Sequence, residues 1–143
     1  MAHSVIWQNR FLDLTDQFAS WSHDPSTKVG AVLTNDSKHI LGMGYNGFPP
    51  GICDDPTRYA DKALKYSMVL HAEENLLLHC NYPTKGTILY VSHQPCTNCA
   101  SRIITKGISQ VVFRDRGFVN KWGDSLAMFD EAGIEYLMIP YGY

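Results

Sequence analysis

No apolar run in the 143-residue chain approaches the roughly 20 residues a membrane-crossing helix needs, so a spanning segment is not expected. The opening stretch MAHSVIWQNRFLDL lacks a basic segment followed by an uninterrupted apolar one, so no signal peptide is expected either. Cations are not in excess: 12 Lys and Arg stand against 14 Asp and Glu, for a formal net charge of −2. That balance argues against a large surface for a long nucleic acid, and leaves room for a small phosphorylated ligand held by a few local cations. Internal repeats, linkers and low-complexity segments are missing, which makes one domain over residues 1–143 the expectation. Cysteine is scarce, with Cys53, Cys80, Cys96 and Cys99 alone. In a chain expected in the cytoplasm, the close pair in CTNC reads as metal-binding or redox-active rather than as a structural disulfide.

What is present is ordinary for a globular protein, with 45% hydrophobic and 18% charged residues. Ile6, Trp7, Phe11, Leu14, Phe18 and Trp21 recur at steps of mostly three and four, the pattern of an amphipathic helix ending before SHDPS. VGAVLT and HILGMGY, separated by NDSK, read as a β-hairpin. NGFPPGICDDP, dense in Gly, Pro and Asp, reads as a loop. The segment from Ala60 to Cys80 is helical in tendency, with a fresh helix expected after a bend near His71. From there strands and helices alternate: GTILYVS, then a helix ending at Gly107, SQVVFR, a helix ending at Gly133, and IEYLMIP. Both glycines sit where a helix C-terminus commonly needs one. The series implies parallel strands joined by right-handed crossovers. The expected fold is a three-layer α/β/α sandwich around a five-stranded mixed sheet.

Two short motifs carry the chemistry. VLHAEENLLLHC places His71, Glu73 and Glu74 among Val69, Leu70, Leu76, Leu77 and Leu78, which read as core. Buried charge is costly unless it is paired or bound to metal. The partners are in PCTNC, where Cys96 and Cys99 are three apart, so both thiols can project from the first turn of one helix. The amide groups of a helix N-terminus favour thiolate, and Pro95 suits such a start. His71, Cys96 and Cys99 make a soft three-ligand set suited to one catalytic Zn²⁺, short of the four ligands of a structural site. Glu73, two residues from His71, points elsewhere and suits proton transfer. H-x-E followed by P-C-x-x-C is the signature of zinc-dependent nucleobase deaminases.

Over nearly its whole length the sequence resembles the deoxycytidylate (dCMP) deaminases of the cytidine deaminase superfamily. The resemblance is carried in order by DPSTKVGAVL, GYNGFPPG, Asp54 and Asp55, HAEEN and QPCTNCASRIITKGISQVVF. It implies a hydrolase that deaminates a deoxycytidine nucleotide, dCMP or additionally dCTP, with Glu73 as proton shuttle and His71, Cys96 and Cys99 on zinc. It implies Asn46 against the deoxyribose and the Ala72 amide against the base carbonyl. For the phosphate, Lys28 with Ser26 and Thr27, or Arg114 and Arg116 at a strand's C-terminal end, are the candidates. The resemblance further implies homo-oligomers (hexamer or dimer), dCTP and dTTP as effectors with Mg²⁺, and dUMP supply to thymidylate synthesis. The chain departs from the pattern at His93 and Gln94, where relatives often carry bulkier apolar residues, and in a short segment between Asp55 and His71.

The competing readings are a tRNA adenosine deaminase, which shares both motifs, and a non-catalytic zinc- or nucleotide-sensing module. The acidic balance opposes the first, since gripping RNA takes phosphate-neutralising cations; an intact Glu73 opposes the second. Free cytidine deaminases generally have Cys in place of His71. Among the remaining residues, Glu74 reads as a cap or surface group, and His23, His39 and His79 as surface. His93 stands between pocket wall and filler, and Trp122 is placed near a ligand or on the surface. Cys53 and Cys80 have no assigned role.

Overall fold

GAVLT, ILYV and QVVFR are dominated by apolar residues with no regularly polar face, which suits strands covered on both sides. In the computed structural model, which describes residues 3–141, the chain runs α1 (Val5–Ala19), β1 (Gly30–Thr34), β2 (Ile40–Tyr45), α2 (Pro56–Ala60), α3 (Lys62–Met68), α4 (Ala72–His79), β3 (Ile88–Val91), α5 (Thr97–Thr105), β4 (Gln110–Arg114), α6 (Ser125–Ala132) and β5 (Glu135–Ile139). The strands form one sheet in the order β2-β1-β3-β4-β5. β1 is antiparallel to β2 and to β3, whereas β3–β4 and β4–β5 are parallel. The expected five-stranded mixed sheet is what forms. No helix among the described residues is long and apolar enough to cross a membrane.

Alternation along the strands separates two cores. Val32, Ile88, Tyr90 and Val112 meet Phe11 and Leu12 of α1 on one face. Ala31, Leu33, Leu89, Val91, Val111 and Phe113 meet α4, α5 and α6 on the other, through Leu76, Leu77, Ile103 and Phe129. This is the three-layer α/β/α arrangement. Two glycines set how closely the layers approach. A Cβ on Gly30 would lie 2.0 Å from the Thr15 carbonyl oxygen of α1, and one on Gly44 would lie 2.5 Å from that of Ala72 and 2.7 Å from the Leu76 nitrogen. Gly44, in GYNG, therefore lets the N-terminal turn of α4 sit directly on β2.

Local differences from expectation have local causes. The loop expected to run through Pro56 ends one residue earlier, because Asp55 caps α2 and Pro56 opens it, a pairing that suits a helix start. Between Asp55 and Cys80 there are three helices, interrupted at Asp61 and at Val69–Leu70, where Leu70 forms a β-bridge with Gly47. The expected bend before α4 is this extended pair. Trp21 falls beyond α1 and is half exposed, Ile6 points to solvent, and Leu78, read as core, is 71% exposed.

Candidate active site

The site is assembled from the starts of two helices on the same side of the sheet. His71 is the N-cap of α4 and Cys96 the N-cap of α5, both in extended backbone, with Cys99 in the first turn of α5. Pro95 precedes the cap. His71 Nδ1 lies 3.3 Å from Cys99 Sγ and 3.4 Å from Cys96 Sγ, and the donor atoms of all three residues lie within 4.8 Å of one another. Cys99 is fully buried; Cys96 and His71 are half-buried. All four cysteines are free.

The electrostatics of this trio are tightly coupled. Hydrogen bonding with Cys99 foremost, then with His71 and the Cys99 backbone N–H, holds the Cys96 thiol well below the ordinary thiol range against the opposing effect of burial. The Cys99 thiol is pushed up by its hydrogen bond with Cys96 and by burial. Two sulfurs and an imidazole nitrogen are a soft donor set that fits zinc, and three protein ligands is the number found in catalytic rather than structural zinc sites.

Glu73 lies in the first turn of α4 and is 4% exposed. Burial is the main cause that pushes its carboxyl up to about 7, partly offset by a backbone hydrogen bond and by His71. That value suits a group that must both take and return a proton near neutral pH. Glu74 performs the bland task read for it. Its carboxylate accepts the His71 N–H at 3.0 Å and pairs with Arg102 Nε at 3.1 Å, fixing the start of α4.

A cavity of about 410 Å³ opens over these groups. His71, Ala72, Glu73 and Cys96 line one part, and Ser26, Thr27 and Asn46 another. Asn46 is already heavily engaged. Its Oδ1 accepts the Val29 N–H at 2.8 Å, and its Nδ2 donates to the Thr27 carbonyl at 2.8 Å and to Asp24 at 3.3 Å. It therefore fastens the 24–29 loop to the cavity wall.

Three expected phosphate contacts lie elsewhere. Lys28 is exposed and is not on the cavity. Arg114 is 3% exposed and bonds Asn9 Oδ1 at 2.7 Å and Asp13 at 2.9 Å, both on α1. Arg116 donates to the Ser92 carbonyl at 2.6 Å and to Asp16 of α1 at 3.1 Å. The reason for Arg114 is strand alternation. It shares the face of Val112, which is the face α1 covers.

The structure adds residues that sequence reasoning left without a role. Lys65 of α3 lines the cavity and places its ammonium 2.9 Å from both carboxylate oxygens of Asp24, with both side chains at least nine-tenths buried. Asp24 Oδ1 also accepts the Ser26 and Thr27 N–H groups. Asp24 opens the DPSTKVGAVL motif, but its partner lies 41 positions away and no local spacing joins them. His93 and Trp122 also line the cavity, with ring centroids 6.1 Å apart.

Comparison with known proteins places this geometry. Residues 5–115 match the family model for the cytidine and deoxycytidylate deaminase zinc-binding region. An uncharacterised deaminase from the luxG 3′ region of Aliivibrio fischeri is 39% identical over 140 residues, covering 94% of each chain. Human deoxycytidylate deaminase is 36% identical over 142 residues, covering 91% of this chain and 78% of that one. The apo crystal structure of dCMP deaminase from cyanophage S-TIM5 superposes with a TM-score of 0.77 at 24% identity, covering 96% of this chain and all of that one, and so shares the fold. With the matched region spanning the His71, Cys96 and Cys99 cluster and the buried Glu73, the chain belongs to the zinc-dependent cytidine and deoxycytidylate deaminase family.

Proposed function

We propose that this deaminase acts on a deoxycytidine nucleotide, converting dCMP and water to dUMP and ammonia. The observation that carries the reading is a cavity lined by His71, Cys96 and the buried carboxyl of Glu73, with Cys99 buried behind it and its sulfur grouped with the donor atoms of His71 and Cys96. Its support for dCMP in particular comes from relatives named deoxycytidylate deaminase, such as those of human and Pongo abelii, the latter 37% identical over 142 residues.

His71, Cys96 and Cys99 would hold the zinc. When bound, zinc acts as a Lewis acid that makes water acidic enough to attack near neutral pH. Hydrolysis forms a bond from oxygen to C4 of cytosine and breaks the bond from C4 to the exocyclic nitrogen. Glu73 takes the proton that water gives up and delivers it to N3. It then moves a second proton to the departing amine, so that ammonia leaves and the ring becomes uracil. Burial raises the Glu73 carboxyl into the range where both transfers are feasible. The Ala72 N–H, in the first turn of α4, is assigned to the base carbonyl, since amides there lack partners within the helix. Asn46 is assigned to the deoxyribose, and Ser26 and Thr27, read from the sequence as phosphate contacts, line the cavity with it.

The same reading extends to deamination of dCTP, to one catalytic domain across the chain, and to homo-oligomers as hexamers or dimers. It extends likewise to dCTP with Mg²⁺ and dTTP as effectors, and to a cytoplasmic supply of dUMP for thymidylate synthesis. The test is incubation of the purified zinc-loaded protein with dCMP, dCTP, cytidine and adenosine-containing RNA, following absorbance and ammonia release. Turnover of dCMP is expected. Turnover of neither deoxycytidine nucleotide overturns the proposal, and turnover of the RNA alone would favour the tRNA adenosine deaminase reading.

A further inference from the structure

A dCMP deaminase has to recognise a phosphate. Of the residues expected to do so, Ser26 and Thr27 line the cavity but carry no charge, Lys28 lies off it, and Arg114 and Arg116 are paired with α1. Lys65, the lysine on the cavity wall, has both Asp24 oxygens at 2.9 Å. His93 and Lys121 supply a different solution, beginning with a buried hydroxyl. Ser92 is fully buried, and its Oγ accepts the Gly30 N–H at 3.0 Å. Its own proton needs an acceptor, and His93 Nδ1 lies 2.9 Å away. Nδ1 is thereby the acceptor, and the imidazole proton belongs on Nε2. Ser92 is the one hydrogen-bonding partner of this ring among the described residues. The Nε2–H is therefore left for whatever enters the cavity that His93 lines.

The surroundings select for an anion. Burial first, then the charges of Arg116 and Lys121, push the His93 imidazolium down to about 4, so at neutral pH the ring is an uncharged donor in a positive field. Lys121 does not itself line the cavity, but its ammonium lies 5.0 Å from the ring centroid of Trp122, which does, and 4.8 Å from that of Phe118, and its charge reaches His93. Lys121 has no carboxylate partner among the described residues. Its loop is held in place by Gln94, which donates to Asn120 Oδ1 at 2.8 Å and accepts the Asn120 N–H at 3.0 Å. Asn120 occupies the left-handed region, with φ at 59°. Donor and cation are thus arranged before a ligand arrives, which lowers the entropic cost of binding.

We propose that His93 and Lys121 form the subsite that selects a nucleotide over its nucleoside. The Nε2–H of His93 donates to a phosphate oxygen, and the Lys121 ammonium supplies the compensating charge. The inference rests on the dCMP reading above. It assigns a role to His93, which the sequence leaves between pocket wall and filler.

Calorimetric binding of dUMP and deoxyuridine to the zinc-loaded protein tests it, because the two ligands differ only in the phosphate. Wild type should bind dUMP roughly tenfold or more tightly than deoxyuridine, the scale of hydrogen bonds to a charged group. His93→Leu and Lys121→Gln should each shrink that ratio several-fold by weakening dUMP alone, and His93→Gln, which retains an N–H donor, should keep most of it. Unchanged deoxyuridine binding reports that the variants remain folded. Equal weakening of both ligands, or no weakening of either, overturns the subsite while leaving the dCMP reading intact. Wild type that binds neither ligand overturns both. Independently of any ligand, ¹⁵N spectra should show His93 protonated at Nε2 and bare at Nδ1 at neutral pH; the opposite tautomer overturns the donor assignment.

Discussion

Four helices of this protein begin in one way and two in another. α1, α2, α3 and α6 are capped by Ser4, Asp55, Asp61 and Asp124, whose side-chain oxygens accept a backbone N–H from the first turn. α4 and α5 are capped by His71 and Cys96, the residue types least suited among these to close a helix. The two exceptions face each other across 3.4 Å and share one cavity. At the four ordinary starts the cap stabilises the helix. At the two exceptional ones the capping side chains converge on the cluster proposed to hold zinc: Glu74 closes the start of α4 by accepting the His71 N–H, while at α5 the Cys96 sulfur stands in for an oxygen and accepts the Cys99 N–H at 3.4 Å.

The largest effect should come from turning an exceptional cap into an ordinary one. Cys96→Ser is a better N-cap than cysteine, so if capping were its function the variant would gain stability. The expectation is the reverse: loss of stoichiometric zinc by elemental analysis, loss of all measurable turnover, and a lower melting temperature, because metal binding is coupled to folding. A Cys96→Ser protein that kept its zinc would erase the distinction between the two kinds of helix start. Glu73→Gln comes next. It should retain zinc at wild-type stoichiometry and lose about 10²–10⁴ in turnover, the usual worth of a positioned acid–base group. Loss of zinc along with activity would show that Glu73 belongs to the metal cluster and not to proton transfer.

The two kinds of start also divide what could be read from sequence. The two motifs were legible because each is short, two residues from His71 to Glu73 and three from Cys96 to Cys99, and the structure brings their side chains together although His71 and Cys96 are 25 positions apart. The five strands were legible because runs such as ILYV and QVVFR admit no solvent face. The start of α2 was obscured, since Asp55 and Pro56 sit at the end of a run dense in Gly and Pro that reads as loop. The Lys65–Asp24 pair was invisible because no local pattern connects residues 41 positions apart. Arg114 was misplaced for a related reason. Its position at a strand end was readable, but which face α1 would cover, and that Asp13 and Asn9 would wait there, depended on how the layers packed. Leu78 followed the same course, since its apolar neighbours Leu76 and Leu77 face the sheet while it faces solvent.

A smaller effect tests the substitute cap of α4. Glu74→Ala removes the acceptor of the His71 N–H and the partner of Arg102 without touching a ligand atom. Groups that orient a ligand are typically worth 10–100-fold in metal affinity or activity. Because Glu74 holds the backbone of His71 and not its ring, the low end is expected: roughly a tenfold weaker zinc affinity in a chelator competition. Wild-type affinity would mean that α4 keeps its start without help.

The smallest effect belongs to Asp124→Ala, at an ordinary start. Its carboxylate accepts the Ala127 N–H at 3.0 Å and opens a helix whose other end is closed by Gly133 in the left-handed region. Removing such a cap costs about 1 kcal/mol, readable as a shift in the denaturant midpoint with an unchanged slope. Zinc content should not move, because α6 contributes none of the three residues proposed to hold it. Turnover should hold as well, since the preceding loop remains tied to Gln94 through Asn120 and through the bond from Gln94 Nε2 to the Ser125 hydroxyl at 2.9 Å. If Asp124→Ala instead lowered dCMP turnover with little loss of stability, the cap of α6 would be setting the position of the loop that carries Lys121 and Trp122. The start of α6 would then have to be grouped with those of α4 and α5, as part of the site.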